Sequence, residues 1–182
     1  MPEVQVVPGP ELGAPYEPMR LLFPSPIGSL GIELCDQVVT SLIIGPDRKM
    51  RSRYQSLHEL DGSDALDELC GRLAEYLAGA RRKLEIDWDL GRSHAGSFER
   101  RVLRETVKIP FGKTKTYGAI AEAAGRPEAY RQVLSILLEN PIPILIPCHR
   151  VVPNKAGIGS YIAGEKKKRW LLNLESQAAE EA

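Results

Sequence analysis

Long apolar runs are missing from this 182-residue chain. None approaches the roughly 18 residues needed to span a bilayer, and the first residues lack the basic-then-apolar order of a secretory signal. A soluble intracellular protein with no membrane partner is expected. Cysteine is scarce: Cys35, Cys70 and Cys148 are odd in number, widely spaced and form no CxxC pair. That argues against a disulfide framework and against a cysteine-rich zinc site. Histidine is equally scarce, with His58, His94 and His149 alone, so no metal centre is expected. Net charge is absent too, at +0, but residues 1–96 carry ten Lys and Arg against fifteen Asp and Glu, whereas residues 97–175 carry fourteen against seven. A basic half beside an acidic one fits a polyanionic partner or a solvated surface without one.

What is present divides the chain near that charge break. Residues 1–18 hold five prolines and few apolar side chains, which predicts a loose lead-in. An α/β domain is expected over 19–90. "MRLLF", "SLGIEL" and "VVTSLII" are β-prone runs, and "PSPIG" supplies turn chemistry between the first two. Ala65, Leu66, Leu69, Leu73, Tyr76 and Leu77 recur at helical spacing over 64–77, with Gly79 as a stop and Cys70 beside the stripe as core. "LEIDWDL" alternates strictly and predicts a half-buried strand. "GRSHAG" at 91–96 reads as a linker.

A mostly helical domain is expected over 97–175, with 176–182 as a tail. Ser97 can cap a first helix, with Phe98, Val102, Leu103 and Val107 inward, that "IPFGKTKT" breaks. Thr116 can cap a second helix that stops at Gly125. Pro127 is placed to begin a third helix reaching about Asn140. Two helices across a tight glycine turn are a helix-turn-helix pattern, and the second is the one that meets DNA. At 100° per residue its apolar arc is Ala129, Tyr130, Val133, Leu134, Ile136, Leu137 and Leu138, leaving Glu128, Arg131, Gln132, Ser135 and Glu139 exposed.

"PIPILIPC" is too short for a helix and is punctuated by Pro141, Pro143 and Pro147, so a buried extended segment ending at Cys148 is predicted. Buried thiols are normally inert; one that reacts needs a base or cation, and His149 and Arg150 follow directly. Neighbours in an extended segment face opposite ways, so a water is expected to bridge thiol and imidazole. A core cysteine beside a surface histidine is the alternative for any Cys-His pair.

"TYGAIA", "RPEAYRQV", "NPIPILIPCHRV", "GIGSYIAG" and "KKKRWLLNLE", in that order over residues 97–175, resemble the O6-alkylguanine-DNA alkyltransferases. The resemblance implies an α+β protein, with a small RNase H-like sheet-and-helix domain followed by a winged helix-turn-helix-like domain carrying the active site. Cys148 would accept the alkyl group in one irreversible displacement, without a cofactor. His149 would take the thiol proton through a water, Glu175 would orient the histidine, and Tyr117 would donate to the departing guanine. Asn140 would tie the helix-turn-helix to the active-site turn. Arg131 would fill the duplex after base flipping, and Gln132, Ser135, Lys113, Lys115 and Lys155 would meet the DNA. The base pocket would be formed by Pro143, Ser160, Tyr161, Ile162 and the carbonyls of Cys148 and Val151. The implied partner is double-stranded DNA containing O6-alkylguanine, entered from the minor groove by a monomer. A non-catalytic sensor of alkylated bases and a cysteine hydrolase remain as alternatives.

Three features depart from the family's pattern. Leu134 stands where a small residue is usual, Leu103 replaces a frequent tryptophan, and the zinc set of some members is not recognisable.

Overall fold

Two tight turns shape the first sheet of the computed structural model, which describes residues 18–45, 53–56, 64–90, 97–155 and 157–180. Gly28, at φ +102°, donates its N–H to the Ser25 carbonyl and folds β1 (Met19–Phe23) back onto β2 (Ser29–Cys35). Asp36 and Gln37 both have positive φ, as a two-residue hairpin with the primed twist requires, and lead into β3 (Val38–Gly45). These three antiparallel strands are the meander expected from sequence. A two-residue strand, β4 (Gln55–Ser56), adds parallel to β1, giving the order β3-β2-β1-β4. It is too short to leave a periodic signal.

Helix α1 (Asp64–Leu77) matches its predicted span, and Gly79 follows it at φ +77°. Its Leu66, Leu69, Leu73, Tyr76 and Leu77 share one buried cluster with Leu21, Leu30, Ile32 and Leu42 of the sheet. Cys70 belongs to the same cluster. "LEIDWDL" does not form the expected strand. Val39 donates to the Asp87 carbonyl and accepts from Asp89, giving a single bridge opposite Trp88, while Leu42 N–H is taken by the Pro141 carbonyl. The exposed edge of β3 thus has two short partners, and neither pairs long enough to make a ladder. The alternating half-burial of Leu84, Ile86 and Trp88 is as predicted. The lead-in up to residue 17 and the linker at 91–96 lie outside the described residues.

The second half contains α2 (Ser97–Val107), α3 (Tyr117–Ala123), α4 (Tyr130–Leu138) and α5 (Glu165–Glu180). A short parallel pair, β5 (Lys115–Thr116) and β6 (Val151–Val152), lies among them. The Ser97 side chain, expected to cap α2, is outside the described residues. Thr116 caps α3 as predicted, its hydroxyl accepting from Ala119 N–H at 3.1 Å. Helix α4 starts three residues later than expected. Ala129 N–H donates to the Arg126 carbonyl, so Pro127 occupies the second position of a turn, where its fixed φ fits, instead of opening the helix. Helix α5 continues to Glu180, past the expected start of the tail.

Candidate active site

Asn140 organises the segment that delivers Cys148. Its Oδ1 accepts from Ile142 N–H at 3.1 Å, and its Nδ2 donates to the Ile146 carbonyl at 2.9 Å and to Cys148 Sγ at 3.1 Å. The segment is buried but not extended as predicted: Ile146 N–H returns to the Ile142 carbonyl, Pro143 bridges Ile146, and Ile144 sits at φ +79°. One amide, satisfied by both arms, folds it into a loop. Cys148–Arg150 then forms a single 3₁₀ turn.

Glu175, from the buried face of α5, is the hub of the next layer. Oε1 lies 2.8 Å from His149 Nε2 and accepts from Tyr76 hydroxyl at 2.5 Å and from Arg150 Nη2 at 2.9 Å. Oε2 accepts from Gly112 N–H and from Arg150 Nε, each at 3.0 Å. Arg150 also donates to the Ile109 carbonyl at 2.7 Å. It serves the carboxylate and not, as its place beside Cys148 suggested, the thiol. Burial alone would raise the carboxyl, but the His149 and Arg150 hydrogen bonds and charges outweigh it and hold Glu175 down to about 2. An ionised carboxylate only accepts, so His149 carries its proton on Nε2 and presents Nδ1 as a lone pair. Burial lowers His149 below its ordinary value against the pull of Glu175, which keeps the ring neutral.

Gly112 is required at its place in this layer. It sits at φ +69°, and a Cβ there would lie 2.8 Å from Ala179 Cβ and 3.1 Å from the Glu175 carbonyl. Gly112→Ala should therefore lower unfolding free energy by roughly 2 kcal/mol, measured by denaturant titration. A variant as stable as the parent would mean that the turn and α5 part freely.

Cys148 is buried, and desolvation pushes its thiol up to about 11 although the Asn140 hydrogen bond and the Lys168 charge pull it down. Lys168 carried no predicted role. It is fully buried and donates to the Val151 carbonyl at 2.6 Å, the Ser160 carbonyl at 3.1 Å and the Tyr117 hydroxyl at 3.4 Å. Burial lowers it to about 8. Its signal was legible: Lys168, Leu171 and Glu175 fall at i, i+3 and i+7, one helix face. Tyr76 was predicted as core and is core by burial, but its hydroxyl belongs to the site; an apolar stripe carries no sign of that. His149 Nδ1 and the Tyr161 hydroxyl are buried without a hydrogen-bond partner among the described residues. Their rings pack edge to face with centroids 6.3 Å apart.

A cavity of about 520 Å³ is lined by Tyr117, Tyr130, Leu134, Lys155, Gly159 and Ser160, among others. Leu134 is half-buried, a wall of the cavity that also packs against the core. Of the predicted apolar arc of α4, only Val133 and Leu137 are buried, whereas Tyr130 and Leu138 are exposed. Arg131, Gln132 and Ser135 are exposed on the same helix, as are Lys113, Lys155, Ser160 and Ile162 elsewhere. Lys115 is half-buried, and Pro143 and Tyr161 are buried. Among the described residues no group of three or more His, Cys, Asp or Glu could hold a metal, and no helix is long and apolar enough to cross a membrane.

Residues 97–177 match the family described as the DNA-binding domain of 6-O-methylguanine DNA methyltransferase. The methylated-DNA–protein-cysteine methyltransferase of Mycobacterium tuberculosis is 33% identical over 157 residues, which cover 85% of this chain and 90% of the relative. The chain belongs to the methylated-DNA–protein-cysteine methyltransferases. Its fold agrees with that of the M. tuberculosis O6-methylguanine methyltransferase crystal structure, with a TM-score of 0.75 at 30% identity over 89% of this chain and 94% of the other. The M. tuberculosis OGT structure in complex with DNA gives a TM-score of 0.75 at 31% identity over 88% and 94% of the two chains. The mixed α/β fold, with a small sheet and five α-helices among the described residues, therefore matches that of a methyltransferase of known structure.

Proposed function

We propose that this chain repairs DNA by moving the alkyl group of O6-alkylguanine irreversibly onto Cys148, so that each molecule acts once. The observation that carries the reading is the buried His149–Glu175 pair directly following buried Cys148, in which the imidazole turns an unpartnered Nδ1 away from the carboxylate. A water between Sγ and Nδ1 takes the thiol proton to His149. The thiolate attacks the alkyl carbon, an S–C bond forms, and the C–O6 electron pair leaves on guanine. Tyr117 donates a hydrogen bond to that ring as charge develops. The displacement needs no cofactor. Lys168 keeps positive charge beside both Tyr117 and the thiol. The carbonyls of Cys148 and Val151 already accept from Val151 N–H and Lys168, and each retains a second lone pair for the guanine amine. Pro143, Ser160, Tyr161 and Ile162 surround the base.

In this reading α3 and α4 are a winged helix-turn-helix on an RNase H-like amino-terminal domain, the protein is an intracellular monomer, and α4 enters the minor groove. Arg131 fills the space of the flipped nucleotide, Gln132 and Ser135 line the groove, and Lys113, Lys115 and Lys155 meet phosphates. Intact mass after incubation with duplex O6-methylguanine DNA tests it. A gain of one methylene is expected; unchanged mass with bound DNA would make the chain a sensor, and turnover without adduct a hydrolase.

Arg131→Ala separates flipping from chemistry. Extrusion costs a few kcal/mol, so the variant should slow transfer from duplex DNA by orders of magnitude while leaving reaction with free O6-benzylguanine nearly unchanged. Equal slowing on both substrates would instead place Arg131 in the pocket.

A further inference from the structure

Tyr76 lies in α1, 73 residues before His149, in the half of the chain farthest in sequence from the cysteine motif. Its side chain is 1% exposed and meets Phe111 edge-on at 5.8 Å. The hydroxyl donates to Glu175 Oε1 at 2.5 Å and stands 3.4 Å from His149 Nε2. The same oxygen therefore takes a donor from the amino-terminal half and the donor of the proposed base. A lone pair engaged by Tyr76 is withdrawn from the imidazole, and the carboxylate then stabilises an imidazolium less.

We propose that Tyr76 is a positioning residue that sets the proton affinity of His149 by sharing Glu175 Oε1, so that the amino-terminal half tunes the base. This rests on the reading that His149 takes the thiol proton. The groups facing His149 are Glu175 and Lys168 from α5, Arg150 and Cys148 from its own turn, Tyr161 from the following loop and Tyr76 from α1. Glu175 favours the charged ring, and Arg150 and Lys168 oppose it. Tyr76 is the one member of this set outside the cysteine-bearing half. It acts through the carboxylate, because both the Nε2 proton and the tyrosine proton are directed at Oε1.

Tyr76→Phe in the full chain removes the hydroxyl and keeps the ring. The His149 imidazole is followed by NMR titration, and single-turnover transfer from duplex O6-methylguanine DNA is measured across pH. The His149 midpoint and the acid limb of the rate should both move up by about one pH unit. Phe111→Leu, which keeps the hydroxyl, should leave the midpoint where it is in the parent. An unmoved His149 midpoint in Tyr76→Phe overturns the proposal, including the case in which the rate falls by the same factor at every pH, which is the mark of packing alone. Should that variant not fold, 3-fluorotyrosine placed at position 76 strengthens the donor, and the midpoint must then move down or the proposal fails. If the parent protein never alkylates Cys148, the repair reading fails, while the NMR titration still decides what Tyr76 does to His149.

Discussion

Cys148→Ala is expected to abolish alkyl transfer while leaving DNA binding and the melting temperature near those of the parent. In the proposed function the thiol supplies the chemistry, whereas the exposed side chains of α4 and the surrounding lysines supply the contacts. Losing Sγ costs Asn140 Nδ2 one acceptor, but the amide keeps the Ile146 carbonyl at 2.9 Å, so the loop stays closed. Peptide mapping of the alkylated parent gives the sharper test. Cys70 is also buried, with its thiol pushed up to about 11 by burial and then by Asp67. At such a value only about one thiol in ten thousand is ionised at pH 7, so pKa does not distinguish the two cysteines. The difference lies in the neighbours: Cys148 has Asn140, Lys168 and an adjacent imidazole, whereas the charge acting on Cys70 is a carboxylate. An adduct on Cys70 or Cys35 with Cys148 unmodified would sink both the assignment and this account of reactivity.

Glu175→Gln should have the second-largest effect, and it should appear in two measurements. Single-turnover transfer should slow by orders of magnitude, because an amide neither balances an imidazolium nor holds the Nε2–H tautomer. Stability should fall by about 3–5 kcal/mol, since Arg150 is left buried beside a group without charge. The pH dependence has a definite sign. Glu175 is lowered from 4.5 to about 2 in the folded protein, so its stabilisation is fully present above pH 4.5 and is lost as pH falls towards 2. The shift corresponds to about 3 kcal/mol. Denaturant titrations between pH 6 and pH 2 should show this loss in the parent and lack it in the variant. A Glu175→Gln protein that reacts at the parent rate at every pH would reduce Glu175 to a structural anchor for Arg150.

Much of the fold was legible wherever a signal repeats along the chain. The three long strands are β-prone runs set off by turn residues, α1 has a clear helical stripe, and Thr116 announces α3 by the chemistry of its cap. Readings failed where the deciding partner lies elsewhere in sequence. Nothing in "LEIDWDL" shows that β3 offers it a single bridge, and nothing in "PIPILIPC" shows that the Asn140 side chain will close it into a loop. Pro127 was compatible with a helix start and with a turn, and the Arg126 carbonyl decided for the turn. Leu134, read as part of the apolar arc at a place where a small residue is usual, is half-buried, packing against the core while lining the cavity.

The sequence by itself determined the order of the longer elements, the membership of the chain and a set of candidate site residues, because motifs such as "PCHRV" and "WLLNLE" keep their residue types next to one another. Only the tertiary structure decided how those residues pair. Arg150 turns to Glu175 instead of the thiol, Lys168 reaches three oxygens from the buried face of α5, and Tyr76 enters the site from the other half of the chain. The physical reason is that hydrogen bonds and ion pairs depend on distances of about 3 Å. Separation along a chain does not specify such distances until the core has packed and each buried polar group has found its partner.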